Sequence, residues 1–193
     1  MTKITAIIPT LNEEIHIIDA IKSVDFADEI IVIDSYSTDA TVALAKSLGV
    51  TIFQRKFDDF STQKNFAIDK AKNQWIYVLD ADERVTPKVK KEILEAVKNP
   101  NENVGFYVRR TFFFMDRKIN YGGCQRDKVV RLFLKEHCRY NGSPVHETIE
   151  TEGKLGFFKN KIDHFSYRSY DHYISKMNHY AALRGKQFHN KGI

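Results

Sequence analysis

Residues 75–83 read WIYVLDADE, five apolar residues that run without a break into a cluster of three carboxylates. An unbroken apolar run, unlike an alternating one, fits a strand covered on both faces. The same arrangement recurs upstream, where ITAIIP (residues 4–9) leads into Thr10, Asn12 and Glu13, and EIIVID (29–34) ends on Asp34. Residues 50–54 supply a further strand. Helical patterns fill the intervals: one after Asn12 ending near Val24, one from Ser37 or Thr38 to a stop at Gly49, and one over residues 61–72. A fourth is capped by Thr86, has Pro87 at its first position and runs to about Val97. Strand and helix in alternation predict an α/β fold with a Rossmann-like, mostly parallel central sheet and helices on both faces.

After Asn99 the alternation stops. Residues 105–111, 129–134 and 138–141 read as strands, and Tyr121, Gly122 and Gly123 as a mobile loop between them. Phe112, Phe113, Phe114 and Met115 form an apolar run suited to core packing or, as a minority reading, to membrane or acceptor contact. From Tyr170 the pattern is helical, with Tyr173, Ile174, Met177, Tyr180, Ala181 and Arg184 on the same face. With no repeat and no low-complexity linker, the chain is expected to be one domain over 1–193. Its parts are residues 1–99, a mixed segment 100–169 and a C-terminal helix 170–193.

Composition excludes several classes. The chain has 193 residues, 42% of them hydrophobic and 28% charged, as expected of a domain with a sizeable core. No run approaches a membrane span and the first residues lack the form of a signal peptide, so a cytoplasmic protein is expected. Cys124 and Cys138 have no zinc-type spacing and are read as free thiols. The formal charge of +5 is uneven: residues 154–193 hold eight basic and two acidic side chains, and the rest of the chain sums to −1. Eight aromatic residues accompany that basic end, which suits either peripheral contact with anionic lipid or a helix packed on the sheet with its basic side in water. No nucleic-acid motif accompanies the basic charge.

In open parallel sheets, ligands bind beyond the carboxyl ends of the strands, where Thr10, Glu13, Asp34, Asp80 and Asp82 fall. Two carboxylates as close as Asp80 and Asp82 repel unless a cation lies beside them, and oxygen ligands suit Mg²⁺ or Mn²⁺ completed by water and substrate phosphates. The competing reading makes these acids caps of the helix near Thr86. No GxGxxG and no GxxxxGK[ST] is present, so phosphates would be held by metal and side chains. Asp34 suits a base or ribose contact, or equally a turn.

IIPTLNEE (7–14), VIDSYSTDAT (32–41), QKNFA (63–67) and VLDADE (78–83) resemble, in order and spacing, the nucleotide-sugar signatures of family 2 glycosyltransferases with the GT-A fold. RLF (131–133) and YNGSPVHE (140–147) resemble more narrowly the bacterial lipopolysaccharide inner-core glucosyltransferases. The resemblance implies an inverting, metal-dependent enzyme that moves a hexose, glucose from UDP-glucose first among the candidates, to a lipid-linked saccharide. It makes 1–99 the nucleotide-sugar half and 100–169 the acceptor half.

It further implies that Pro9, Thr10 and Glu13 border the base, that Asp34 meets it, and that Lys64 and Asn65 lie near base or diphosphate. Asp80 and Ala81 would line the sugar-nucleotide, Asp82 would bind Mg²⁺ or Mn²⁺, and His164 would complete the metal shell. From the residues themselves, Glu147 is the candidate base, against a surface Glu at a strand end, and His146 an orienting or structural neighbour; Arg126, Lys128 and Arg131 suit a phosphate or anionic acceptor, with a solvated basic edge the commoner explanation of such spacing. Many members read DDGSxD where this chain has Asp34-Ser35-Tyr36-Ser37-Thr38-Asp39, which leaves base selectivity open. Two other functions compete. A sugar nucleotidyltransferase would carry a glycine-rich loop after the first strand, where TLNEE is acidic and lacks glycine. A non-catalytic carbohydrate-binding protein would keep the fold without metal-dependent nucleotide binding.

Overall fold

The computed structural model describes residues 2–121, 126–142, 147–167, 169–171, 173–178, 181 and 185. Four strands, β1 (Ile4–Thr10), β2 (Glu29–Asp34), β3 (Thr51–Gln54) and β4 (Trp75–Val78), lie parallel in the order β3-β2-β1-β4. Their side chains are covered from both sides. Ile4, Ala6 and Ile8 face a core shared with α1 (Ile17–Ser23), α2 (Thr41–Ser47) and α4 (Pro87–Lys98). Ile7, Ile31 and Ile33 face the opposite way, against Ala67 and Ile68 of α3 (Phe60–Lys70). Double coverage is the reason these strands read as unbroken apolar runs.

The second half extends the sheet. Beyond β4 come β8 (Lys128–Leu134) and β6 (Asn103–Phe114), each antiparallel to its predecessor, then β11 (Lys154–Tyr167), parallel to β6, and β5 (Glu83–Arg84) at the edge. β7 (Arg117–Lys118) pairs with the end of β6, and β9 (Arg139–Tyr140) with β10 (Ile149–Glu150) makes a separate ribbon. Among the described residues the main sheet therefore has nine strands.

Besides the short strands β5, β7 and β10, which were not expected, two larger features depart from the sequence expectation. β11 is fourteen residues long and was not expected as a strand. Its alternation is broken by register shifts between Phe157 and Lys161 and between His164 and Tyr167, and the amides of Lys159 and Asn160 turn away to Glu92 of α4 at 3.1 and 3.2 Å. A bulge of that kind removes the period-2 signal. The helix expected from Ser37 or Thr38 begins only at Thr41. Ser37 instead donates to Asp34 Oδ1 at 2.5 Å and accepts from the Asn12 amide at 2.8 Å, while the Thr38 amide donates to Asn12 Oδ1 at 2.8 Å. The loops after β1 and β2 are thereby laced together.

Other expectations hold. Gly49 has φ +71, Thr86 caps α4 by accepting from the Val89 amide, and Pro87 opens that helix. Phe112, Phe113 and Phe114 are half-buried against His164, Phe165 and Tyr167 at the end of β11, Phe113 stacked on Phe165 and the other two pairs tilted, whereas Met115 of the same run is exposed. Cys138 is a buried free thiol, pushed up in pKa by burial. Cys124, Gly122, Gly123, Tyr180 and Arg184 lie outside the described residues. Among the described residues no helix is long and apolar enough to cross a membrane.

Thr86 also donates to the Lys161 carbonyl oxygen at 3.0 Å, tying the start of α4 to β11. Thr86→Ala is expected to cost about 1 kcal/mol, read as a lower denaturation midpoint with an unchanged slope.

Candidate active site

The strand ends of β1, β2 and β4 and the far ends of β6 and β11 open onto the same side of the sheet. After β4 and Leu79 the chain passes through Asp80, Ala81 and Asp82 into β5, a turn with three carboxylates in four residues. Glu83 is fully buried at 0% exposure and is met by two guanidinium groups, Arg131 at 2.6 Å and Arg110 at 3.3 Å. Arg131 also holds Asp80 Oδ2, and Arg110 holds Asp127. On the other side of Asp80, Lys64 Nζ lies 3.4 Å from Oδ1 and 2.5 Å from Glu147 Oε1, over the ring of Tyr140 at 5.2 Å. A continuous chain of opposite charges thus runs from Glu83 through Arg131, Asp80 and Lys64 to Glu147.

Burial would push such groups toward their neutral forms. Desolvation raises the Asp80 carboxyl, but Arg131, Lys64 and Arg110 outweigh it and hold it well below the usual range. Desolvation lowers Lys64, but Asp80, Tyr140 and Glu147 outweigh it and raise its pKa. Asp82 is likewise raised by burial and more than compensated, first by His164 and then by Lys176, so that it stays ionised. His164 Nε2 lies 3.3 Å from Asp82 Oδ1, and Lys176 Nζ 3.2 Å from Oδ2. The end of β11 is fastened to this turn by the Phe165 amide, which donates to the Asp82 carbonyl oxygen at 2.8 Å.

The remaining predicted positions separate into those near this cluster and those with other work. Ala81 is buried between the two aspartates. Asp34 is fully buried; its carboxylate accepts from the Ser37 amide and hydroxyl and from Gln54 Nε2 at 3.0 Å. Thr10 is buried with no protein partner for its hydroxyl among the described residues, and half-buried Pro9 precedes it. Glu13 donates its amide to Thr41 Oγ1 at 2.8 Å, and its carbonyl accepts from the first amides leading into α1. Asn65 does not face the cluster with Lys64: its amide group clamps the main chain of Tyr140 at 3.0 and 3.1 Å and so docks β9 on α3. The guanidinium of Arg131, for which the sequence suggested a phosphate or anionic acceptor, is 3% exposed and engaged with Asp80 and Glu83. Arg126 is exposed, Lys128 stands over the rings of Tyr107 and Phe157, and His146 lies outside the described residues.

Sequence reasoning missed Glu83 and Lys176. Glu83 is the last letter of the acidic cluster and sits on a two-residue strand paired with Asp163 and His164, a pairing invisible without β11. Tyr36 shows why a glycine is usual at its place: its φ is +64, a left-handed conformation that costs a residue with a side chain about 1–2 kcal/mol.

Among the described residues no group of three or more His, Cys, Asp or Glu side chains could hold a metal. Asp82 and His164 do present an oxygen and a nitrogen 3.3 Å apart. Ligands in adjacent octahedral positions, each about 2.1 Å from Mg²⁺, lie about 3 Å apart, and such ions usually take only one or two protein ligands beside water and phosphate. The pair fits a divalent ion whose shell a diphosphate would complete.

The glycosyl transferase family 2 model matches residues 5–161, and the chain belongs to that family. It has the α/β GT-A fold and is a glycosyltransferase. Among its relatives, a glycosyltransferase of Rickettsia bellii is 30% identical, over 98% of this chain and 69% of that one. The lipopolysaccharide core biosynthesis glycosyltransferase LpsC of Rhizobium meliloti is 29% identical, over 95% of this chain and 71% of that one. The crystal structure of S. aureus TarS is similar in fold alone, with a TM-score of 0.51 at 19% identity over 63% of this chain and 23% of that one.

Removing one member of the buried charge chain should be costly, because its partners are left uncompensated. Arg131→Met is expected to destabilise the fold by about 3–5 kcal/mol, measured by chemical denaturation. The depressed carboxyls of Asp80 and Asp82 contribute stability above their unfolded pKa, near 4, and that contribution is lost as pH falls further. The raised Lys64 contributes below about pH 10 and loses its contribution as pH rises beyond. Stability should therefore be flat near neutrality and fall on acidification below about pH 4, with a shallower fall in Asp80→Asn.

Proposed function

We infer that this glycosyltransferase moves a hexose, glucose from UDP-glucose in the first instance, onto a saccharide carried by a lipid, with inversion at the anomeric carbon. The observation that carries the reading is the position of Lys64, whose ammonium joins Asp80 at 3.4 Å to Glu147 at 2.5 Å. One buried cation thus joins the turn after β4, the donor side of this reading, to the segment read as the acceptor side. The relationship to LpsC, a protein named for lipopolysaccharide core biosynthesis, supports a saccharide acceptor of that class.

In this mechanism the laced loops after β1 and β2 border the base, and Asp80 faces the ribose and sugar. Asp82 and His164 are the residues that would hold Mg²⁺ or Mn²⁺, which when bound supplies positive charge to the diphosphate leaving group. Glu147 accepts the proton of the acceptor hydroxyl as its oxygen forms the new bond to the anomeric carbon. The bond to the diphosphate breaks on the opposite face and its electron pair leaves with the nucleoside diphosphate. Lys64 holds the Glu147 carboxylate in place, and Arg131 holds Asp80.

Two substitutions separate donor binding from chemistry. Asp82→Ala should abolish the metal-dependent part of UDP binding, followed by titration calorimetry with and without chelator. Glu147→Gln should bind UDP as the parent does and lose at least about a hundredfold in transfer rate. Near-normal turnover by Glu147→Gln would remove it as the base.

A further inference from the structure

Asp82 has two oxygens, and the two carry different partners. Oδ1 faces His164 and Oδ2 faces Lys176, which belongs to the helical residues 173–178 that follow β11. Lys176 Nζ is 3.2 Å from Asp82 Oδ2, 3.4 Å from the Ser166 carbonyl oxygen and 5.8 Å from the centre of the Tyr167 ring. Its side chain is 24% exposed, so the ammonium sits at the boundary between the acidic turn and solvent. The helix is anchored where this reach begins: Tyr173 meets Tyr167 edge-on at 4.9 Å and Phe114 at 5.8 Å.

A divalent ion on Oδ1 and an ammonium on Oδ2 would leave the single negative charge of Asp82 shared between three positive ones, so a further anion beside both is favoured. A nucleoside diphosphate is such an anion. Lysine suits that role as a flexible point charge with three rotatable donors, able to turn from a carboxylate to a phosphate without moving the main chain.

We propose that Lys176 is a ligand of the donor's β-phosphate, parked on Asp82 before the donor binds and transferred to the diphosphate afterwards. This rests on the reading of Asp82 as part of a nucleoside diphosphate site. It makes the C-terminal helix part of the donor site, and it gives the leaving group a protein-borne cation in addition to any metal.

The test is titration calorimetry of UDP and of UMP, in Mg²⁺, with the parent protein, Lys176→Met and Lys176→Arg. Lys176→Met should weaken UDP binding by about tenfold or more while UMP, which lacks the β-phosphate, binds as to the parent. Lys176→Arg should recover most of the UDP affinity. Unchanged UDP binding by Lys176→Met would overturn the inference alone, as would an equal loss for UDP and UMP, which marks a structural role. A parent protein that binds UDP in neither Mg²⁺ nor Mn²⁺ would overturn the nucleotide-site reading and this inference with it.

Discussion

The turn after β4 depends on keeping the carboxylates of Asp80 and Asp82 ionised against the desolvation that burial imposes on them. Isolated, each would be forced toward its neutral form or out of the fold. Side chains from several elements prevent this: Arg131 from β8, Lys64 from α3 and Arg110 from β6 act on Asp80, and His164 from β11 with Lys176 from the helix after it act on Asp82. The order of strands in the sheet can be understood from that requirement. Strand β8 pairs with β4, and it is this adjacency that carries Arg131 beneath the acidic turn. The end of β11 pairs with β5, which brings His164 and the following helix to Asp82.

The same constraint explains the division of labour within short motifs. In the segment around Lys64 and Asn65, the lysine enters the charge cluster while the asparagine turns to the backbone of Tyr140. Asn65 docks β9 against α3, which holds the Tyr140 ring beside the Lys64 ammonium that also meets Glu147. In the loop after β2, Asp34 organises Ser37 and Gln54. Tyr36, between Asp34 and Ser37, adopts a left-handed conformation.

The first hundred residues were legible because their strands are covered on both faces and their helices are punctuated by Gly49, Thr86 and Pro87, all of which act locally. The site's acidic half was legible for the same reason, as carboxylates placed directly after an apolar run. What could not be read depends on distant pairing. β11 hides its period behind a bulge tied to Glu92, and without β11 neither the burial of Glu83 nor the reach of Lys176 can be foreseen. Arg131 stands next to apolar neighbours in RLF, yet nothing local tells an outward phosphate ligand from an inward partner for Asp80 and Glu83.

Binding of a nucleotide-activated sugar together with a divalent cation at this charge-balanced turn can be followed without an acceptor, by a panel of nucleotide sugars scored by thermal shift, each with Mg²⁺, with Mn²⁺ and with chelator. A uridine diphosphate sugar, UDP-glucose first, should raise the unfolding temperature only when a divalent ion is present. Failure of every nucleotide sugar to shift the transition under any of the three conditions would rule out such a site.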